Sequence, residues 1–141
     1  MTMQEQPQGR ILLAEDEPAL ARVYCRALSA SGFHVDHEVN GARALARVLD
    51  EPYDVVVSDV CMPEMSGIEL LRELRLQRPD LPVVLLTAQL DADTYGRARD
   101  LGSVRYLLKP VRMEQLARAV QSAFEVRAAW VRRTARRTAA G

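Results

Sequence analysis

The sequence predicts an α/β fold: a doubly wound sheet of five parallel strands with helices on both faces. Five short apolar runs alternate with five amphipathic stretches along the 141 residues, which is the pattern of repeated βα units. The middle runs are continuously apolar, as strands are when helices cover both faces of a parallel sheet. Right-handed crossovers then make the doubly wound arrangement the natural topology.

The first half of the chain contains two βα units. The run ILLAE at 11–15 predicts the first strand, and Pro18 opens a helix that the pair Ser31-Gly32 ends. Residues 33–39 alternate between apolar and polar, which predicts a second strand. Asn40 is the expected N-cap of the helix that follows.

The next two units follow the same rules. Residues 53–59, YDVVVSD, predict the third strand, and residues 81–88, LPVVLLTA, predict the fourth. Between them, Ser66 is the expected N-cap of the third helix, with Glu69 completing a capping box. Residues 91–101 predict a more polar fourth helix.

The last unit ends in an unusually long helical pattern. Residues 104–110, VRYLLKP, predict the fifth strand, and a final helix begins near Arg112. Its apolar spacing continues beyond Phe124, and alanine and arginine are strong helix formers. We therefore expect the helix to run at least to about Arg133 as a projecting segment, although a frayed basic tail is nearly as consistent with the composition.

Composition places few limits on function but shows a charge asymmetry. Apolar residues make up 48% and charged residues 27%, and the formal net charge is zero, so nothing predicts nucleic-acid or membrane binding. All 19 acids lie at or before Glu125, whereas five of the 19 basic residues follow it, so the body carries −5 and the tail +5. We expect a flexible N-terminus at 1–8, a domain at 9–125, and a basic helical extension or tail at 126–141.

Cysteine usage and the terminal sequence indicate the compartment. Cys25 and Cys61 are the only cysteines, too few for a disulfide framework, which fits the reducing cytoplasm. The polar start of the chain lacks the apolar stretch of a signal peptide, and no apolar run reaches membrane-spanning length.

Polar residues follow four of the five strands where each strand ends. Glu15-Asp16-Glu17 follow the first strand, Asp59 ends the third, Thr87 the fourth and Lys109-Pro110 the fifth. The second strand contributes none, as expected if it lies at the outer edge. Ligands of open α/β sheets bind at this carboxyl edge. Each residue alone would suit an ordinary turn or helix start, but their coincidence at one edge indicates a functional site.

The charges at this edge favour a hard cation and phosphoryl chemistry. Two carboxylates about 4 Å apart repel by roughly 4 kcal/mol at an effective dielectric of 20, and Lys109, the only lysine of the chain, cannot balance three acids. Mg²⁺ suits carboxylates, waters and a substrate phosphate. Asp59 would attack phosphorus to form an acyl phosphate, while the cation and Lys109 neutralise phosphoryl oxygens and Thr87 donates to the same group.

These motifs closely resemble the receiver domain of bacterial two-component response regulators. LLAEDEP, SDVCMPEMSG, LLTA and YLLKP occur in the family's order, and the match covers about residues 9–125. The resemblance implies the flavodoxin-like (βα)5 fold with strand order 2-1-3-4-5. It implies a signalling phosphoprotein that catalyses only its own phosphoryl transfer and dephosphorylation. Its expected phosphodonor is a histidine kinase or phosphotransfer protein, acting with Mg²⁺ in the cytoplasm.

The resemblance also implies roles for individual residues. Asp59 resembles the phosphoacceptor, Asp16 the direct Mg²⁺ ligand and Glu15 the second acid, which often acts through water. The backbone carbonyl of Cys61 corresponds to the third protein ligand. Family members usually have a cis peptide at the position of Lys109-Pro110.

The remaining positions concern switching. Thr87 resembles the switch hydroxyl, Lys109 the lysine that pairs with phosphate, and Tyr106 the aromatic ring that moves between outward and inward positions. The implied switching surface combines the fourth helix, the fifth strand and the fifth helix. Cys61 and Gln89 stand where the family tunes phosphate lifetime, and residues 103–105 lack the acids that are common before the aromatic.

Other classes fit less well. A haloacid-dehalogenase-type phosphatase needs a second acid where Cys61 stands, and the acids after the first strand would repel the phosphate of a flavodoxin-type cofactor. A pseudo-receiver, an interaction module that is never phosphorylated, remains the alternative, although it normally lacks a key residue. His34 and His37 fit strand-surface positions better than zinc ligands.

The expected partners follow from the resemblance and from the tail. Besides the kinase, the sequence permits a homodimer through the switching surface or the C-terminal helix, and a covalent output domain beyond Gly141. The body at −5 and the tail at +5 also permit salt-sensitive head-to-tail pairing. We expect no direct nucleic-acid binding and no membrane attachment.

Overall fold

A computed structural model describes residues 9–103 and 105–140 and contains the predicted doubly wound sheet. The five parallel strands lie in the order β2-β1-β3-β4-β5, which confirms the predicted fold class and strand order. The strands are β1 (Arg10–Ala14), β2 (His34–Glu38), β3 (Val55–Asp59), β4 (Val83–Thr87) and β5 (Arg105–Leu108). The helices are α1 (Pro18–Ala30), α2 (Gly41–Asp50), α3 (Gly67–Gln77), α4 (Ala92–Asp100) and α5 (Met113–Ala140).

Some predictions fall on residues outside those that the structure describes. The N-terminal segment at 1–8, Val104 at the predicted start of the fifth strand, and Gly141 are among them. Within residues 9–103 and 105–140, no helix combines the length and apolarity needed to cross a bilayer.

The helix starts follow the caps that the sequence predicts. Asn40 Oδ1 accepts a hydrogen bond of 2.8 Å from the Arg43 amide, and Ser66 Oγ accepts one of 3.2 Å from the Glu69 amide. Both side chains satisfy backbone donors that a helix start leaves unpaired. The predicted third strand began at Tyr53, whereas β3 begins at Val55.

Each strand contributes to two cores because its side chains alternate between the faces of the sheet. Ile11 and Leu13 of β1 belong to the core under α1 and α5, whereas Leu12 and Ala14 belong to the core under α2, α3 and α4. All four are fully buried. Coverage on both faces explains why the middle positions of β1, β3 and β4 are apolar, whereas polar side chains stand at or next to the strand ends.

Helix α5 continues well past the body, as the apolar spacing predicted. It comprises 28 residues, about 42 Å at 1.5 Å per residue. Arg127 ties it to the base of the sheet, with Nη1 2.8 Å from Asp54 Oδ1. After Arg127 the helix carries four exposed arginines at 132, 133, 136 and 137, and Trp130 is 47% exposed.

Candidate functional site

Asp59 is the last residue of β3 and lies buried at the carboxyl edge of the sheet. Only 7% of it is exposed. The next amide, of Val60, donates to the Leu86 carbonyl at 2.8 Å, and Gly67 donates back to Val60 at 2.9 Å. A Cβ on Gly67 would lie 2.3 Å from the Asp59 carbonyl oxygen, so the loop after β3 folds this tightly only with glycine there.

Two further acids lie beside Asp59 because β1 is the neighbour of β3. Ligand oxygens of Glu15, Asp16 and Asp59 all lie within 4.8 Å of one another. Glu15 is 1% exposed, whereas Asp16 is exposed. The structure thus brings together three of the four acids that the sequence assigned to this edge.

Lys109, directly after β5, is the cation of this cluster. Its Nζ donates to Asp59 Oδ2 at 2.7 Å and to Glu15 Oε1 at 3.0 Å. We call Glu15, Asp16, Asp59 and Lys109 the acidic pocket. The peptide bond that joins Lys109 to Pro110 is cis, as the resemblance implied.

The pKa values of Glu15 and its partner Lys109 are both shifted. Burial raises the pKa of Glu15 to about 7, although the hydrogen bond from Lys109 opposes this shift. Burial by itself opposes the charged form of Lys109, but its hydrogen bonds to Asp59 and Glu15 outweigh burial and raise its pKa above the ordinary value. The pocket therefore holds more negative charge than its single ammonium stabilises.

The donor set fits a hard divalent cation. Carboxylate oxygens are the ligands that Mg²⁺ uses in proteins, commonly one or two of them with waters and a phosphate. The acidic pocket offers three carboxylates whose oxygens lie within 4.8 Å of one another, and one of them is exposed for exchange with solvent. The three carboxylates offer oxygen ligands, which suit Mg²⁺ better than metals that prefer sulfur or imidazole nitrogen.

Cys61 lies at the rim of the pocket on the loop after β3. Its side chain is exposed, and its thiol forms no disulfide. A shallow cleft of about 570 Å³ adjoins Asp16 here. Its lining residues are Asp16, Val60, Cys61, Met62, Ser66, Ile68, Thr94 and Arg97.

Thr87 ends β4 on the other side of Asp59 and is 4% exposed. Its hydroxyl donates to the Gln89 carbonyl at 2.9 Å and accepts from the Gln89 amide at 3.3 Å. In this conformation the hydroxyl is therefore engaged by its own loop. A phosphoryl group on Asp59 would have to compete with that bond.

Tyr106 on β5 lies farther from the acids, against α4. Its ring meets Tyr95 of α4 edge to face, with centroids 5.4 Å apart and an interplanar angle of 82°. Its buried hydroxyl has no hydrogen-bond partner among the described residues. An unpaired buried hydroxyl costs about 1–3 kcal/mol, so the position of this hydroxyl carries an energetic penalty that exposure to solvent would relieve.

Sequence reasoning missed one residue of the site. It assigned no polar residue of the second strand to the functional edge and placed His37 on the strand surface. In the structure His37 Nε2 lies 2.7 Å from the Glu15 carbonyl oxygen. The sequence indicated this position in part, because His37 stands two residues before the predicted end of the second strand. Its partner Glu15, however, lies 22 residues away in the chain, so only the fold reveals the contact.

Comparison with known proteins finds relatives of this chain among response regulators. A family model described as "Response regulator receiver domain" matches residues 11–121. The response regulator receiver protein CpdR of Brucella abortus is 45% identical over 78 residues, 55% of this chain and 65% of that protein. The regulatory protein AtoC of Escherichia coli is 36% identical over 118 residues, 84% of this chain but only 26% of that protein. The chain thus spans between about a quarter and two thirds of these relatives.

Solved structures of similar fold include two receiver proteins that this chain matches over at least nine tenths of their own length. The signal receiver domain of a signal transduction histidine kinase from Syntrophus aciditrophicus is 33% identical with a TM-score of 0.77, covering 83% of this chain and 90% of that one. The chemotaxis protein CheY4 of Vibrio cholerae is 27% identical with a TM-score of 0.76, covering 81% and 97%.

Proposed function

Because the chain belongs to the receiver domain family of two-component response regulators, we propose that it accepts a phosphoryl group on Asp59. The domain is a signalling module rather than a metabolic enzyme. The observation that carries the proposal is the acidic pocket itself, a buried Asp59 bonded to Lys109 at 2.7 Å with two further carboxylates beside it. The phosphodonor is the phosphohistidine of a histidine kinase or phosphotransfer protein, or a small acyl phosphate.

In the proposed reaction Asp59 acts as the nucleophile. Lys109 occupies Oδ2, which leaves Oδ1 to attack phosphorus. The new O–P bond forms as the P–N bond of the phosphohistidine breaks, and the departing imidazole nitrogen keeps the electron pair and takes a proton from solvent. Lys109 then pairs with a phosphoryl oxygen, which places positive charge where negative charge develops.

The same residues fit a Mg²⁺ requirement. Asp16, Asp59 and the Cys61 carbonyl would hold the ion, with Glu15 acting directly or through water. The ion would supply charge neutralisation for the phosphoryl oxygens.

We further propose that phosphorylation switches the surface formed by α4, β5 and α5. A phosphoryl group adds roughly −1.5 to −2 charge at neutral pH, which would draw the Thr87 hydroxyl away from Gln89. Tyr106 contacts Tyr95 of α4, and through this contact the change at Thr87 would reach α4. The switched surface would meet a partner or an output domain in the cytoplasm, where the kinase donates its phosphate.

Intact-mass spectrometry tests the acceptor. Incubation with acetyl phosphate and Mg²⁺ should add one phosphate, and both Asp59→Asn and removal of Mg²⁺ by EDTA should abolish it. Asp50→Asn, an exposed acid at the end of α2, is the matched control and should be labelled like the wild type. A phosphate that persists in Asp59→Asn would refute the assignment, and a folded wild-type chain that takes up none would be a pseudo-receiver.

NMR spectroscopy tests the switch separately. Beryllofluoride should shift the resonances of Thr87, Tyr106 and α4, well beyond the acidic pocket. Shifts confined to residues beside Asp59 would indicate a passive phosphate store instead.

The extended α5 supports a proposal about self-association. Its arginines at 132, 133, 136 and 137 are exposed, whereas residues 1–125 carry a net charge of −5. A second copy could therefore bind through this extension or through the α4–β5–α5 surface. Ultracentrifugation should show association that weakens with salt and that is reduced in a chain ending at Ala128, which keeps the Arg127–Asp54 pair. Identical behaviour of the two chains would exclude the extension as the contact.

A further inference from the structure

We propose that His37 is a positioning residue of the acidic pocket, holding the main chain between Glu15 and Asp16 so that both carboxylates face Asp59. This inference rests on the proposed function, because it concerns how the Mg²⁺ site is built. It gives β2 a role in the acidic pocket, although the sequence predicted no site residue on this strand.

The alternation of β2 directs His37 toward the site. Val35 packs against the core under α1 and α5, so His37, two residues later, lies on the same face of the sheet. Asp36 and Glu38 point to the opposite face, where both pair with Arg47 of α2. His37 is thereby separated from the ion pairs of its own strand and lies next to the loop that leaves β1.

His37 completes a set of contacts that leaves no polar atom of Glu15 unpaired. The Glu15 amide donates to the Glu38 carbonyl at 3.0 Å. Its Oε1 accepts from Lys109 at 3.0 Å and its Oε2 from the Glu17 amide at 3.2 Å. Its carbonyl oxygen lies 2.7 Å from His37 Nε2, and since a carbonyl only accepts, Nε2 carries the hydrogen and donates.

The hydrogen bond from His37 is important because it restrains the peptide unit that joins Glu15 to Asp16. The Glu15 carbonyl belongs to the planar peptide unit that also contains the Asp16 nitrogen, so fixing that oxygen fixes the direction in which the chain enters Asp16. The carboxylates repel one another, and a free loop would relieve the repulsion by turning exposed Asp16 outward. The imidazole opposes that rotation before any cation arrives.

The expected effect is on cation affinity rather than on the fold. Loss of a residue that orients metal ligands typically weakens metal binding by roughly 10- to 100-fold. His37 acts on the main chain, one step removed from the ligand oxygens, so we expect the lower end, about tenfold.

The experiment compares three substitutions by NMR titration with MgCl₂. His37→Leu keeps bulk but no donor and should weaken Mg²⁺ binding about tenfold. His37→Gln keeps an N–H donor at similar reach and should stay within about threefold of the wild type. His34→Gln, on the same strand with an exposed side chain paired to Asp36, is the matched control and should bind like the wild type.

A readout without metal separates this inference from the proposed function. In EDTA, exchange of the Glu17 amide, which donates to Glu15 Oε2, should accelerate in His37→Leu but not in His34→Gln, while the urea midpoint changes little. Equal Mg²⁺ affinity in His37→Leu and wild type, or equal loss in His37→Leu and His37→Gln, would overturn the positioning role. A wild-type protein that binds no Mg²⁺ would overturn the proposed function instead, and the amide exchange would still decide whether His37 holds this loop.

Discussion

Two clusters of three carboxylates involve residues in or next to β1 and differ in how their charge is compensated. The arginine network consists of Arg10, Asp36, Glu38, Arg47 and Glu51. Two guanidinium groups make five contacts there, between 2.9 and 3.7 Å, and reach every carboxylate. In the acidic pocket one ammonium makes two contacts, to Glu15 and Asp59, and Asp16 has no salt bridge among the described residues.

The two clusters shift carboxyl pKa values in opposite directions. Burial opposes ionisation of Asp36, but Tyr53, Arg47 and Arg10 outweigh it and lower the pKa of Asp36. Burial of Glu15 prevails over its bond to Lys109 and raises its pKa to about 7. The ionised carboxylate of Asp36 therefore stabilises the fold, because arginines and Tyr53 balance it. The ionised carboxylate of Glu15 destabilises the fold until a cation or a proton neutralises it. This contrast is how a structural ion network and a binding site can be told apart in one small domain.

Removing the central cation should affect the pocket more than the network. Lys109→Met leaves Glu15 and Asp59 buried together and should lower the free energy of unfolding by about 2–3 kcal/mol. Arg47→Met removes a partly exposed cation whose ion pairs solvent screens, so it should cost clearly less than Lys109→Met. Urea denaturation at pH 7.5 in EDTA measures both. Equal losses would mean that the two clusters are alike in energy and that the comparison fails.

Neutralising Glu15 should stabilise the metal-free protein. The folded-state pKa of about 7 lies above the ordinary value, so the folded protein keeps a proton that the unfolded chain has lost. Stability therefore falls as pH rises from about 4.5 to about 7. Glu15→Gln should gain about 1–2 kcal/mol at pH 8, and the gain should vanish near pH 4.5. Urea denaturation at both pH values checks this, and a loss at pH 8 would contradict it.

Neutralising Asp36 should have the opposite sign. Its folded-state pKa is lowered, so its contribution is present above the ordinary value near 4 and is lost as pH falls through the folded-state value. Asp36→Asn should cost about 1–2 kcal/mol at pH 7, and the difference should shrink at pH 3. Asp50→Asn, an exposed acid on the same side of the sheet, should cost little at either pH. A pH-independent loss would point to packing around Tyr53 rather than to charge.

Mg²⁺ should stabilise only through the acidic pocket. At ten times its dissociation constant the ion should add about 1.4 kcal/mol to the free energy of unfolding. Asp36→Asn should retain this increment, because the Asp36 side chain bonds to Arg10, Arg47 and Tyr53 and not to the acidic pocket. Asp16→Asn should lose it. Thermal melts with and without MgCl₂ measure the effect, and an increment that survives Asp16→Asn would mean that the ion binds elsewhere.

Most of the fold could be predicted because local signals agreed with one another. Asn40 and Ser66 cap the helices that they were expected to cap, and the alternation of apolar runs and amphipathic stretches determined the sheet. Strand limits were less accurate, as Tyr53 shows. Its apolar ring continues the pattern of β3, but its hydroxyl donates to Asp36 at 2.6 Å, a contact that no local pattern encodes.

The sequence by itself determined the elements and which chemistry stands at the strand ends, because hydrophobic period and capping act over a few residues. For the end of the chain it favoured a longer α5, since alanine and arginine are strong helix formers, but it left a frayed tail open, and the structure shows the helix. Only the tertiary structure decided how the charges are balanced. It placed two arginines among one set of three acids and a single lysine among the other, and it brought His37 to a carbonyl 22 residues away. Charge compensation depends on distances and burial between segments remote in the chain, and those are set only when the sheet assembles.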